Sequence, residues 1–193
     1  MLSKQFKDIW NSCAECELHA NARRHVIGWG QSPADALFIG EAPGRTEDIL
    51  GRPFVGDAGQ LLRKMLADAA EIEEVESENW SQLVNRLSYR VFVTNVVACA
   101  PWIDETRTKY RPPSIDEAEA CSPRVQAIVA DVSPKTIVLI GSISKTMFKP
   151  IKEVPTISIV HPAAILRTQK PPKNTVAYHR AVHALRDHFK AVL

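Results

Sequence analysis

No hydrophobic run long enough to span a bilayer occurs in these 193 residues, which argues against a helical membrane protein. The opening stretch Met1-Leu2-Ser3-Lys4-Gln5-Phe6-Lys7 also lacks the apolar segment of a secretory signal, so an intracellular protein is expected. Excess charge of one sign is scarce. A formal net charge of +2 is too small to mark a nucleic-acid binder, and any phosphate contact must come from local clusters. Candidates are Arg107, Lys109 and Arg111 in the middle of the chain, and Arg167, Lys170 and Lys173 near its end; each also serves solubility. Cysteine is limited to four residues, which does not suggest a disulfide scaffold. In a reducing compartment a Cys-x-x-Cys pair is a metal or redox site, so Cys13, Cys16, Cys99 and Cys121 need one joint explanation. Internal repeats and low-complexity tracts are missing. Gly28-x-Gly30 lacks the rest of a dinucleotide fingerprint and predicts a turn before the first strand.

What the chain does have is enough apolar residue, 45%, to bury one substantial core, and a single domain over 1–193 is expected. Ala36-Leu37-Phe38-Ile39 predicts a short buried strand. Gly40-Glu41-Ala42-Pro43-Gly44 follows it directly, where open α/β sheets bind ligands. Its glycines and proline shape a turn that can aim amides and carboxylates at a small planar molecule. Phe54, flanked by Pro53 and Gly56, fits neither a helical nor a strand period; it is a candidate stacking ring or a plug beneath the loop. Ala58 to Ala70 predicts an amphipathic helix, with Leu61, Leu62, Met65 and Leu66 on one face. Further strands are predicted at Arg90–Val97, Thr136–Ile140 and Thr156–Val160, and helices at Gln5–Asn11, Trp80–Leu87, Ile115–Val132 and Thr175–Val192. Glu71 to Glu78 reads as a solvated connection. Strands alternating with helices predict a three-layer α/β/α sandwich around a mainly parallel, four-stranded sheet. Asn95, near the end of its strand, offers a donor and an acceptor on one amide, or else simply terminates the strand.

The central loop with Pro53-Phe54-Val55-Gly56-Asp57-Ala58-Gly59, together with Cys13-x-x-Cys16, Thr94-Asn95, Cys99, Cys121 and His161-Pro162, closely resembles the signature of the type-4 uracil-DNA glycosylases. The resemblance runs over almost the whole chain. It implies removal of uracil from single-stranded or duplex DNA by monofunctional hydrolysis of the N-glycosidic bond. It implies that His161 stabilises charge on uracil O2, that Asn95 reads the base edge and Phe54 stacks on it, and that Ala42, Pro43 and Gly44 line the pocket. Glu41 is expected to form the pocket and Glu47 to touch the attacking water, or to cap or bridge the loop. Arg167 is a candidate DNA contact, and in the same loop Ile165 and Leu166 are suited to fill the space of a flipped base or to join a helix core. The four cysteines match the family's [4Fe–4S] pattern, with tetrahedral zinc as the chemical alternative. A monomer is expected.

Departures from the wider superfamily are also visible. Ala42 stands where a better-known branch has a water-orienting aspartate, and Gly44 where that branch has a tyrosine that excludes the thymine methyl. The segment between Cys99 and Cys121 is longer than usual and carries Trp102, Arg107 and Tyr110. An alternative reading keeps the pocket but not the chemistry: a catalytically weak protein that binds DNA with a modified pyrimidine, or a protein partner.

Overall fold

A computed structural model describes residues 2–73, 80–168 and 171–193. Residues 74–78 of the expected acidic connection and the basic candidate Lys170 lie outside them.

The amino-terminal segment contains two short helices, α1 (Lys4–Asn11) and α2 (Leu18–Asn21), and strand β1 (Trp29–Gly30). Then come β2 (Ala36–Gly40), α3 (Arg45–Leu50), α4 (Asp57–Ala69), α5 (Trp80–Arg86) and β3 (Val91–Asn95). The rest is α6 (Ile115–Val132), β4 (Thr136–Ile140), α7 (Ser142–Met147), β5 (Thr156–Ile159), α8 (Pro162–Leu166) and α9 (Val176–Val192). Local chemistry sets several boundaries. Ser114 Oγ accepts the Glu117 amide while the Glu117 carboxylate accepts the Ser114 amide, a reciprocal cap that starts α6. Thr175 caps α9 in the simpler way, accepting from the Tyr178 amide.

The sheet order is β1-β3-β2-β4-β5. The β2/β3, β2/β4 and β4/β5 pairs are parallel, as expected. The expected count of four strands needs correction: among the described residues there are five, because Trp29–Gly30 pairs antiparallel with Phe92–Val93 at one edge. A turn was expected there. Gly30 has φ 141°, and a Cβ on it would stand 2.4 Å from the Val91 carbonyl oxygen. Glycine therefore lets this piece of chain close onto β3, and two residues are too few to show a strand period.

Strands β2, β3 and β4 are buried at every position, so both faces of the sheet are covered. Alternation sends Phe38, Val91, Val93 and Val138 to one face, against Leu62, Met65 and Leu66 of α4 and Leu185 and Phe189 of α9. Leu37, Ile39, Phe92, Ile137 and Leu139 go to the other, against Val125, Ile128 and Val132 of α6. Each such large aliphatic side chain contributes about 1.5–3 kcal/mol by leaving water. The consequence for function is positional: the loops after β2, β3, β4 and β5 all leave the same carboxyl edge of the sheet. Strand order also reverses about β2, which makes its end a switch point where α/β sheets form crevices.

Candidate active site

Gly40 and Asn95 are register partners at the ends of β2 and β3. A Cβ on Gly40 would lie 2.5 Å from the Phe54 ring and 2.4 Å from Asn95 Oδ1. The missing side chain thus makes room for the stacking candidate and the base-reading candidate to meet over the strand end. Phe54 is held there against its own backbone preference. Its φ is 52°, a region that costs a non-glycine residue about 1–2 kcal/mol. Its carbonyl accepts from Arg63 Nη1 at 2.8 Å and Trp80 Nε1 at 2.9 Å. Gly59 allows helix α4 to pass directly behind, since a Cβ would sit 1.9 Å from the Phe54 oxygen.

Glu47 Oε1 completes the clamp by accepting the amides of Val55 and Gly56, each at 2.9 Å. Through this one oxygen Glu47 bridges the loop. A side chain on Gly44 would come within 2.6 Å of Glu47 Oε2. Glycine at this position leaves space for that carboxylate. Ala42 is half-buried and packs on the α6 side of the sheet. Pro43 is buried, and its carbonyl accepts from Tyr110 Oη at 3.0 Å.

His161 caps α8, and its Nδ1 accepts the Ala163 amide at 3.1 Å. An acceptor Nδ1 in a neutral ring requires the proton on Nε2, which is thereby free to donate. Burial, and then the charge of Arg167, push the imidazole pKa down, so the neutral form is favoured. Its ring faces that of Phe54 with centroids 6.4 Å apart and 29° between planes. Gly141, at φ 94°, brings the β4 loop close: a Cβ would stand 3.1 Å from His161 Cβ. Glu41 is half-buried, and burial raises its carboxyl pKa against the opposing charge of Arg167. Arg167, exposed, thus lies in electrostatic reach of both Glu41 and His161.

Two expectations about apolar and basic side chains change. Ile165 is only 1% exposed and belongs to the core, whereas Leu166 is 40% exposed; consecutive residues point about 100° apart around a helix, so one turns to the core and the next to solvent. Of the basic candidates, Arg107 donates Nε to the Asn21 carbonyl, Arg111 is paired with Glu117 and Lys173 with Asp68 at 3.1 Å. The long segment folds back onto the site. Trp102 Nε1 donates to buried Asp48 at 2.9 Å, and the Asp48 carboxylate also accepts the Arg23 amide at 2.8 Å.

Cys13, Cys16, Cys99 and Cys121 line one pocket together with His19, His25 and Arg124. The two histidines turn ring nitrogens to backbone, His25 Nε2 to the Cys13 carbonyl at 2.8 Å and His19 Nδ1 to that of Cys16 at 2.6 Å. The Cys99 thiol is pushed up to about 12 by burial and by the other cysteines. Among the described residues no group of three or more Cys, His, Asp or Glu is drawn together tightly enough to hold a metal ion. Convergence of four sulfur donors from three separate parts of the chain is nonetheless the donor set that an iron–sulfur cluster or a structural zinc uses.

Arg124 and Arg63 were missed by reasoning from sequence. Arg124 is 1% exposed and donates to Cys121 Sγ, Ile27 O, Thr94 Oγ1, Asn95 O and Val96 O. The available signal was its place three residues after Cys121, on the helix face that also carries Val125 and Ile128.

Fold and site define an α/β protein that gathers, at the carboxyl ends of parallel strands, an aromatic ring, a buried asparagine and a histidine whose Nε2 is left to donate. The uracil DNA glycosylase superfamily matches residues 27–186, and the chain belongs to that superfamily. It is 33% identical over 177 residues to the type-4 uracil-DNA glycosylase of Archaeoglobus fulgidus, covering 80% of this chain and 78% of that one. It is 36% identical over 138 residues to the type-4 enzyme of Sulfurisphaera tokodaii, covering 72% and 54%. For that of Thermotoga maritima the identity is 32% over 142 residues, covering 74% and 63%. The match to the last two thus spans less than two thirds of their length. No helix among the described residues is long and apolar enough to cross a membrane.

Proposed function

We propose that this chain is a uracil-DNA glycosylase, a monofunctional hydrolase that releases uracil from DNA and leaves an abasic site. The observation that carries the reading is the fixed tautomer of His161: Nδ1 accepts from Ala163, leaving Nε2–H to donate beside Phe54. As the glycosidic bond breaks, the electron pair passes into the uracil ring and negative charge gathers on O2. A donor fixed at O2 stabilises that charge more than it stabilises the intact nucleotide. Asn95 supplies an acceptor to uracil N3–H and a donor to O4, a pattern that cytosine does not match. Phe54 stacks on the base. Ala42, Pro43 and Gly44 line the pocket, and Glu41 borders it, where its carboxylate can accept from the attacking water. Glu47 acts as a positioning residue through the Val55 and Gly56 amides.

DNA, single-stranded or duplex, is the partner, with Arg167 at the pocket mouth and exposed Leu166 to fill the space of the flipped nucleotide. Base flipping costs a few kcal/mol and least in single strands. Cys13, Cys16, Cys99 and Cys121 would hold a [4Fe–4S] cluster. Such a group supplies a cross-link between the amino-terminal segment, the β3 exit and α6, and no electron is needed for hydrolysis. We read residues 1–193 as one intracellular, monomeric domain. The test is incubation of iron-replete protein with uracil-containing single-stranded and duplex oligonucleotides, followed by alkali. Strand cleavage at uracil is expected; binding without cleavage favours a pocket that recognises a modified pyrimidine without acting on it.

A further inference from the structure

One buried side chain reaches from the pocket of the cysteines to the strand end that carries Asn95. Arg124 leaves α6, three residues after Cys121, and places its Nε 3.3 Å from Cys121 Sγ. Its Nη1 donates to Thr94 Oγ1 at 2.9 Å and to the Ile27 carbonyl at 2.8 Å. Its Nη2 donates to the Asn95 carbonyl and, at 3.1 Å, to that of Val96. Those carbonyls sit where β3 ends and its ladder can no longer satisfy them, so they need donors from elsewhere. The planar guanidinium supplies them as one rigid unit. The contact with sulfur sets the other end of the same plane.

We infer that Arg124 is a positioning residue: it couples the four-cysteine pocket to the strand end that carries Asn95, so that the arrangement at Cys121 fixes where the base-reading amide stands. The inference rests on the proposed uracil chemistry only for its activity readout. A displacement of Cys121 moves the guanidinium, and the guanidinium holds the Asn95 and Val96 peptides directly. Asn95 in turn has little freedom, being buried against Gly40 and Phe54. Lysine in place of Arg124 keeps the charge but has a single nitrogen, which cannot bond a sulfur and four oxygens arrayed around the edge of a planar fork. Glutamine removes the charge and retains one donor group.

The experiment compares Arg124→Lys and Arg124→Gln with the parental protein and with Asn95→Ala, alone and combined, using single-turnover excision per folded, iron-loaded molecule. Misplacement of about 1 Å costs ~10²-fold in well-oriented chemistry, so the single Arg124 variants are expected to lose about 10- to 100-fold while iron content stays parental. In the Asn95→Ala background the same substitutions should cost less than about threefold, because the residue they act through is gone. A second readout needs no activity: losing a hydrogen bond to a ligand sulfur should lower the cluster's reduction potential in both variants, more in Arg124→Gln. Multiplicative losses in the double variants overturn the coupling to Asn95, and an unshifted potential overturns the contact with the cysteine site. If the parental protein excises no uracil, the functional reading fails by itself, and the potential still decides the sulfur contact.

Discussion

At the scale of single residues, the site depends on donors whose direction is fixed before substrate arrives. His161 is the sharpest case, because its tautomer follows from one hydrogen bond to Ala163. His161→Ala should lower the single-turnover rate by ~10²–10³, with a much smaller change in affinity for DNA carrying a non-cleavable uracil analogue. Equal losses in rate and affinity would make it a recognition residue. Asn95→Asp should weaken uracil excision and admit cytosine, since a protonated carboxyl presents a different donor pattern; an unchanged rate on uracil would remove the amide from base reading. Phe54 and Asn95 stand out in the sequence because each breaks a local pattern, an aromatic outside any period and an asparagine in a strand, whereas His161 is singled out only through the His-Pro motif of the resembling family. Arg124 and Arg63 were not. An arginine on a helix is ordinarily solvated, and only the three-dimensional arrangement shows that its acceptors come from segments as distant as Ile27 and Asn95.

At the scale of elements, the clearest lesson comes from the starts of the strands. Asp35 accepts from the Arg90 amide at 2.8 Å and pairs with Arg90 and Lys135 at 3.2 and 3.1 Å. Its own carbonyl accepts the Lys135 amide at 2.9 Å. One residue therefore aligns the entrances of β2, β3 and β4. The Arg90 side chain, first, then its amide and Lys135 hold the Asp35 carboxyl well below the usual carboxylate range. The unfolded chain, with a pKa of about 3.9, takes up the proton first as pH falls. Stability from this group is thus fully present above about pH 4 and is lost as pH drops through the folded value. Asp35→Asn should lower the midpoint of urea unfolding at pH 7 and flatten the acid limb of stability against pH; an acid limb of parental slope would show that other carboxylates dominate it. Strands β2 to β5 and helices α1, α4, α5, α6 and α9 were readable from hydrophobic pattern, with ends shifted by at most two residues. Helices α3 and α7 were not, being only 6 residues each, too short for a period to register. Gly59→Ala offers a complementary test of the loop behind the pocket. Its Cβ would collide with the Phe54 carbonyl, so about 1–3 kcal/mol of overpacking destabilisation is expected, together with weaker binding of the flipped base.

The whole molecule is held by a mainly parallel sheet whose central strands are buried on both faces, and that architecture, apart from the antiparallel edge strand β1, was legible because strands and helices alternate along the chain. What the alternation does not specify is how the first 27 residues join it. In the structure they meet it through Leu2, Leu18 and Ile27, through hydrogen bonds such as that from Arg107 to the Asn21 carbonyl, and at the cysteine pocket: Cys13 and Cys16 arrive between α1 and α2, Cys99 follows β3, and Cys121 lies in α6. Burial leaves the Cys16 and Cys99 thiols reluctant to ionise, with Cys99 pushed up to about 12. A metal centre reverses that preference, since its positive charge favours thiolates. Bound there, it links segments far apart in sequence, and a covalent link closing a loop of comparable length contributes roughly 4–5 kcal/mol. Anaerobically purified protein should therefore be brown and carry about four irons per chain. Removal of iron by a chelator under denaturant-free conditions should lower the melting temperature and open the amino-terminal segment to protease before the sheet. Cys99→Ser should do the same without added chelator. Stoichiometric zinc in place of iron would reassign the centre, and a melting temperature unmoved by metal removal would mean that the amino-terminal segment is held by Leu2, Leu18 and Ile27, its residues in the core, and not by the cysteines.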